Sequence, residues 1–263
     1  MQNPRSSYHT NFLLYLADNS LILGHRNSEW TGHGPILEQD IALSNIALDL
    51  IGQARHLYQH AARMMNESEN LVADAAMTED KLAYLRDAWD YKNCLLTEQS
   101  NGDWGKTILR QFLFSVWHQL AYEQLRYSKD ADLAAIAEKS LKETSYHLRW
   151  SSEWVIRLGD GTSESHNRMM LAVMELWKYT GELFAPCAYE EAMQAEGIGY
   201  DLSAIHTRWS VCVQEVLTEA KLPLPKSEGR PLLGGKEGIH TEQLGYILAE
   251  MQFLQRAYPG CEW

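Results

Sequence analysis

The sequence has 263 residues, 45% of them hydrophobic and 22% charged, with a formal net charge of -12. That composition suits a globular chain long enough for one large core, although the length alone also allows two domains. The acidic balance argues against a nucleic-acid surface, and no stretch approaches the ~20 apolar residues of a membrane span.

The pattern reads as almost entirely helical. A first helix is predicted from Tyr8 to His25, with Phe12, Leu16, Asn19 and Leu23 at helical spacing. Gly32, Gly34 and Pro35 break it. Pro35 suits the first turn of a second helix, Ile36 to Met65, with Glu38 and Asp40 near its positive end. At 1.5 Å per residue that helix is about 45 Å long. A shorter helix is predicted from Thr78 to Leu96, capped by Thr78. Ser100-Asn101-Gly102-Asp103 is a turn, followed by long helices from Trp104 to Tyr127 and from Ala131 to Leu158, the latter capped by Asp130. The four long helices pair as two antiparallel hairpins. Further helices are predicted over Glu164–Phe184, Tyr189–Glu196, Asp201–Ala220 and Thr241–Tyr258. The glycine-rich stretch from Lys226 to Gly238 is predicted to be an extended loop. The expected organisation is one helical domain over residues 1–263, with a core bundle at about 8–160 and additional helices and a loop-helix over 161–263.

The four cysteines, Cys94, Cys187, Cys212 and Cys261, show no zinc-like or redox-motif spacing and read as thiols in a reducing compartment. The polar start Met1-Gln2-Asn3-Pro4-Arg5 lacks the apolar run of a signal peptide, so the expected location is the cytoplasm.

Chemistry-bearing residues concentrate on the long helices. Asn45, Asp49, Gln53, His56 and His60 form a polar row on the second helix, which also carries Ile41, Leu48, Leu50 and Ile51. Such a row is a metal- or proton-handling face, or, more simply, a set of polar groups bonded to neighbouring helices. His118 and Glu123 on the third helix point in different directions, so one of them at most faces the bundle centre at a given depth. Glu143 and His147 on the fourth face one way, flanked by Lys142 and Arg149, with Arg110 on the neighbouring helix as a cation able to replace a metal charge. Trp150 and Trp154 share a face, as core or as interface anchors. There is no nucleophile elbow, phosphate-binding loop or dinucleotide fingerprint.

Two helical segments, Asp49-Leu50-Ile51-Gly52-Gln53 and Glu143-Thr144-Ser145-Tyr146-His147, look like the metal helices of a di-iron carboxylate protein with the motif lost. That site needs Glu-x-x-His on two helices, since residues three apart share a face. With Gln53 and His147 in the His positions, the acid positions hold Leu50 and Thr144. With Asp49 and Glu143 in the acid positions, the His positions hold Gly52 and Tyr146. Neither register gives a complete pair, which points to a structural subunit with no catalytic, cofactor-binding or metal-binding residues. The degenerate positions are Asp49, Leu50, Gln53, Glu123, Glu143, Thr144 and His147.

The string Gly234-Gly235-Lys236-Glu237-Gly238-Ile239-His240-Thr241-Glu242-Gln243-Leu244-Gly245, with Leu248-Ala249-Glu250-Met251-Gln252 after it and Asn45 to Arg55 upstream, closely resembles the phenylacetic-acid catabolism C subunit, the PaaC family. Trp117-His118, Tyr146-His147-Leu148-Arg149 and Gly159-Asp160-Gly161-Thr162 resemble it too. The resemblance implies an all-α, ferritin-like four-helix bundle with additional C-terminal helices. It also implies the role of non-catalytic structural subunit of ring-1,2-phenylacetyl-CoA epoxidase, in aerobic phenylacetate breakdown. The implied partners are a homologous catalytic A subunit, which holds the di-iron site and binds the CoA thioester, and a small bridging B subunit. A flavin and iron–sulfur reductase subunit would deliver electrons. Self-association is expected when the A subunit is absent. The rival readings are a di-iron or di-manganese oxidoreductase using Asp49, Glu123, Glu143 and His147, and a ferritin-like binding module outside phenylacetate metabolism.

Overall fold

The computed structural model describes residues 4–71, 75–225 and 231–261. Four long helices dominate: α1 (Pro4–Ser28), α2 (Leu37–Glu69), α5 (Trp104–Leu125) and α6 (Ala131–Gly159). Short helices α3 (Glu79–Tyr84) and α4 (Leu95–Glu98) lie between the two pairs. After them come α7 (Ser163–Thr180), α8 (Ala188–Glu196), α9 (Leu202–Glu219), α10 (Glu242–Met251) and α11 (Phe253–Ala257). No strand occurs among the described residues.

The expected antiparallel hairpins are present. His60 near the end of α2 and His9 near the start of α1 meet on one carboxylate, that of Asp130. Gln119 late in α5 meets Thr144 in the middle of α6. Side-chain caps fix the starts of the second pair: Asp103 accepts from the Lys106 amide, and Asp130 from the amides of Asp132 and Leu133. α2 has no side-chain cap and begins after Ile36, so Pro35 precedes its first turn instead of occupying it. The Asp40 carboxylate holds the preceding loop by accepting from the amides of Gly32 and Gly34.

α5 is the centre of the core and is buried on nearly all sides; Phe112, Phe114 and Trp117 are at most 1% exposed. Trp104 receives Trp30, Trp150 and Trp154 edge-on at centroid distances of 5.2, 6.1 and 6.2 Å. The shared face of Trp150 and Trp154 is therefore taken up by packing within the chain. α7, α8 and α9 cover the outside of α1 and α5, and Trp209 of α9 donates to the Leu113 carbonyl. The buried apolar side chains of all these layers form one continuous cluster.

The single helix expected over Thr78–Leu96 is in fact α3, a 3-10 turn at Ala88–Asp90, and α4. The cause is tertiary. The carboxylate of Asp18 in α1 is fully buried and draws in the Arg86 guanidinium, the Lys92 amide and the Tyr58 hydroxyl. A continuous helix cannot present Arg86 and the Lys92 amide to the same carboxylate. The C-terminal helix likewise breaks at Gln252, whose side chain turns inward to donate to the Arg86 carbonyl.

The string Gly234 to Thr241 is not a loose loop. It folds into a 3-10 turn, Gly235–Glu237, pinned onto the bundle; residues 226–230 of the expected loop lie outside the described residues. Glu182 accepts from the amides of Leu95, Gly234 and Gly235. Lys236 is buried against Glu190 at 2.7 Å. His240 and Thr241 bond the Glu98 carboxylate, itself 0% exposed. Gly235 fits only because it has no side chain: a Cβ there would stand 2.3 Å from the Asn93 carbonyl oxygen. Packing is what dictates the letters of this stretch.

Candidate functional site

The middle of the bundle decides between the two registers left open by the sequence. Leu50 and Gln53 of α2, with Thr144 and His147 of α6, face inward and are at most 2% exposed. Asp49 and Glu143 each precede an inward position by one residue, a rotation of about 100° on a helix. They are half-buried along the α2–α6 seam. Each is answered across that seam: His147 Nε2 lies 3.0 Å from Asp49 Oδ2, and Gln53 Nε2 donates to Glu143 Oε2 at 2.7 Å. The pairing is there, but its members are an imidazole and an amide, not the expected Lys or Arg. Arg110 is fully buried yet bonds the Gln99 carbonyl and Asn101 at the bundle end. Lys142 and Arg149 are exposed.

His118 is the α5 residue that faces the centre. Its ring packs on Tyr122 at a centroid distance of 4.3 Å. Glu123 turns outward to Arg208 of α9 at 2.7 Å and also accepts from Gln119. The four residues of the rival metal site therefore do not converge. Along α2, Asn45, Ile41 and Leu48 are exposed, His56 lies by Lys139, and His60 is buried.

A di-iron centre fits this interior poorly. Its two cations are held by four inward carboxylates and two imidazoles, so the anions are part of the binding energy. Here the inward positions of α2 and α6 offer a leucine, an amide, a hydroxyl and an imidazole, and α5 adds the imidazole of His118, with no carboxylate among them. At the four α2 and α6 positions Gln53 Oε1 and His147 Nδ1 are buried without a hydrogen-bond partner among the described residues, but neither is anionic. Burial and, to a smaller degree, the nearby His147 push the His118 imidazole down to about 3. Both influences disfavour a positive charge there.

His118 has a consequence for stability. An unfolded histidine titrates near 6.5 and binds a proton that the folded chain refuses. Stability is thus intact above pH ~6.5 and is lost as pH falls below it, at up to about 1.4 kcal/mol per pH unit. Between pH 7 and pH 5 the loss from this residue is about 2 kcal/mol. Urea unfolding of wild type and His118→Gln at the two pH values measures it: the variant should lose about 2 kcal/mol less. Equal losses would mean His118 reaches solvent.

Several buried ionic groups were not singled out from sequence: Asp18 with Arg86, Glu98 with His240, Glu182, and Glu190 with Lys236. The signal for Asp18 was available, since an acid inside the apolar run Phe12 to Leu23 demands a partner. The others become visible only when distant segments meet.

The family described as "Phenylacetic acid catabolic protein" matches residues 1–263. Among curated relatives, a protein of Escherichia coli (strain K12), named as the C subunit of 1,2-phenylacetyl-CoA epoxidase, is 43% identical over 254 residues, 97% of this chain and 98% of that protein.

Proposed function

The chain belongs to the phenylacetic acid catabolic protein family, and we propose that it is the structural C subunit of a multicomponent ring-1,2-phenylacetyl-CoA epoxidase in phenylacetate catabolism. The observation that carries the non-catalytic part is that Leu50, Gln53, Thr144 and His147, and no carboxylate, hold the inward positions of α2 and α6 at the bundle centre. The family relationship, not the interior, supplies the substrate class. In this reading the di-iron centre belongs to a catalytic A subunit, a small B subunit bridges A–C pairs, and a flavin and iron–sulfur reductase feeds electrons. This chain stabilises and positions A. A partner surface is supported by α2, whose Leu37, Ile41 and Leu48 form an outward stripe 50–71% exposed. No helix among the described residues is long and apolar enough to cross a membrane.

The experiment is His147→Ala in the complex co-expressed with its catalytic partner. Loss of the Asp49 bond should cost roughly 1–3 kcal/mol of stability and lower the yield of complex. Epoxidation per isolated intact complex should stay near wild type, because a residue with no transition-state role does not change turnover. A large fall in that normalised rate, with melting temperature and assembly unchanged, would make this chain a participant in the chemistry.

A further inference from the structure

A different cluster, at the far end of the bundle from the Trp104 stack, brings metal-ligating groups together. His9 of α1 and His60 of α2 both place Nε2 on one atom, Asp130 Oδ2, at 2.8 and 2.6 Å. Among the described residues this triplet is the group of His, Cys, Asp and Glu side chains close enough to share one ion. The two oxygens of Asp130 divide their work: Oδ1 caps α6 through the amides of Asp132 and Leu133, and Oδ2 is left for the histidines. The side chains are 16%, 8% and 8% exposed, dry enough to hold an ion and open enough to admit one.

We propose that His9, His60 and Asp130 form a binding site for one divalent transition-metal ion of the zinc type. Two imidazoles and a carboxylate are the donor set of a three-ligand zinc site with an open fourth position. Tetrahedral bonds of about 2.0–2.1 Å separate ligand atoms by roughly 3.3 Å. Each imidazole nitrogen thus needs to part from the Asp130 oxygen by about 0.5–0.7 Å, within the reach of side-chain rotation. The outer contacts suit the change. His60 Nδ1 now accepts from Arg63 Nη2 at 3.2 Å and lies 3.8 Å from Asp132 Oδ2. When Nε2 turns its lone pair to the metal, the ring proton sits on Nδ1, and Asp132 would close from 3.8 Å to accept it, giving the carboxylate–imidazole–metal arrangement of bound zinc. Arg63 is half exposed and already pairs with Asp132 at 3.1 Å, so it can leave the imidazole without losing a partner. The α6 N-terminus is electropositive, and Asp130 and Asp132 offset it. One ligand comes from each of α1, α2 and α6, so the ion would tie three helices at one point.

The test is calorimetric titration of the untagged, chelator-treated full chain with zinc chloride, with Co2+ absorption as a second readout. We expect one Zn2+ per chain, a higher melting temperature with zinc, and visible bands of tetrahedral cobalt. His9→Ala and His60→Gln should each weaken binding by about a hundredfold or more, beyond the 10–100-fold that loss of an outer partner costs. His56→Ala, one turn away beside Lys139, should bind as wild type does. Circular dichroism of the metal-free variants shows that they fold, and His9→Ala, at the more exposed ligand, serves if His60→Gln does not. Absence of saturable zinc binding would overturn the proposal, as would wild-type affinity in His9→Ala or loss of binding in a folded His56→Ala. The subunit reading above does not depend on the result.

Discussion

Replacing Arg86 with methionine is expected to destabilise the chain by about 3–5 kcal/mol, the cost of leaving a buried charge uncompensated. Asp18 is 0% exposed and sits in the middle of α1. Both terminal guanidinium nitrogens of Arg86 reach its carboxylate, with Tyr58 and the Lys92 amide completing the shell. Arg86 also stacks over the Tyr91 ring at 4.2 Å, so its stem and its charge both pack. Urea unfolding of Arg86→Met measures the cost. The double variant with Asp18→Asn should recover a large share of it, because an uncharged pair leaves no buried ion. A cost below about 1 kcal/mol, the range of exposed pairs, would show that Asp18 finds water when Arg86 is removed.

The second large effect is expected at Lys236. Its ammonium lies 2.7 Å from Glu190, with the side chains 4% and 2% exposed, and it donates to the Ala185 carbonyl. Tyr200 donates to the other oxygen of Glu190 at 2.8 Å. Lys236→Met leaves that carboxylate without its cation and should also cost about 3–5 kcal/mol. Here the loss should be local first, since Lys236 fastens a segment instead of a bundle helix. Limited proteolysis should cut near residues 222–240 faster in the variant, and Glu190→Gln in the same chain should slow the cutting again. Unchanged proteolysis with a full loss of stability would mean that the segment stays docked through Glu182 and Glu98 alone.

The long helices were legible because each carries a helical apolar repeat, and the fourth a capping aspartate, Asp130, at the right place; Asp103, read only as part of a turn, caps α5 in the same way. Where the chain obeys distant partners, legibility ended. The helical pattern of 78–96 yields to Asp18, which no local rule ties to Arg86 and Lys92. At the bundle centre, sequence showed that neither register was complete, but not which one faces inward. Position 49 differs from 50 by one step of rotation, and only the packed neighbours fix the phase. The expected cation beside Asp49 and Glu143 was wrong for a physical reason. On a half-buried seam a carboxylate keeps part of its hydration, so an amide or imidazole satisfies the rest.

The docking of Gly234–Thr241 also orders events while the protein is being made. Glu98 bonds His240 and Thr241 across 142 and 143 residues of chain. At 5–20 residues per second, roughly 7–29 s pass between synthesis of that glutamate and of its partners. Glu182 and Glu190 wait in the same way for Gly234, Gly235 and Lys236. During this interval the nascent bundle holds acids in a site built to bury them, and their need for water keeps that side of the bundle open. The last segment to emerge supplies the amides, the lysine and the histidine that allow it to close. Final consolidation of this protein is thus a late step of its synthesis, and a chain stopped before residue 234 would leave Glu98, Glu182 and Glu190 without these partners.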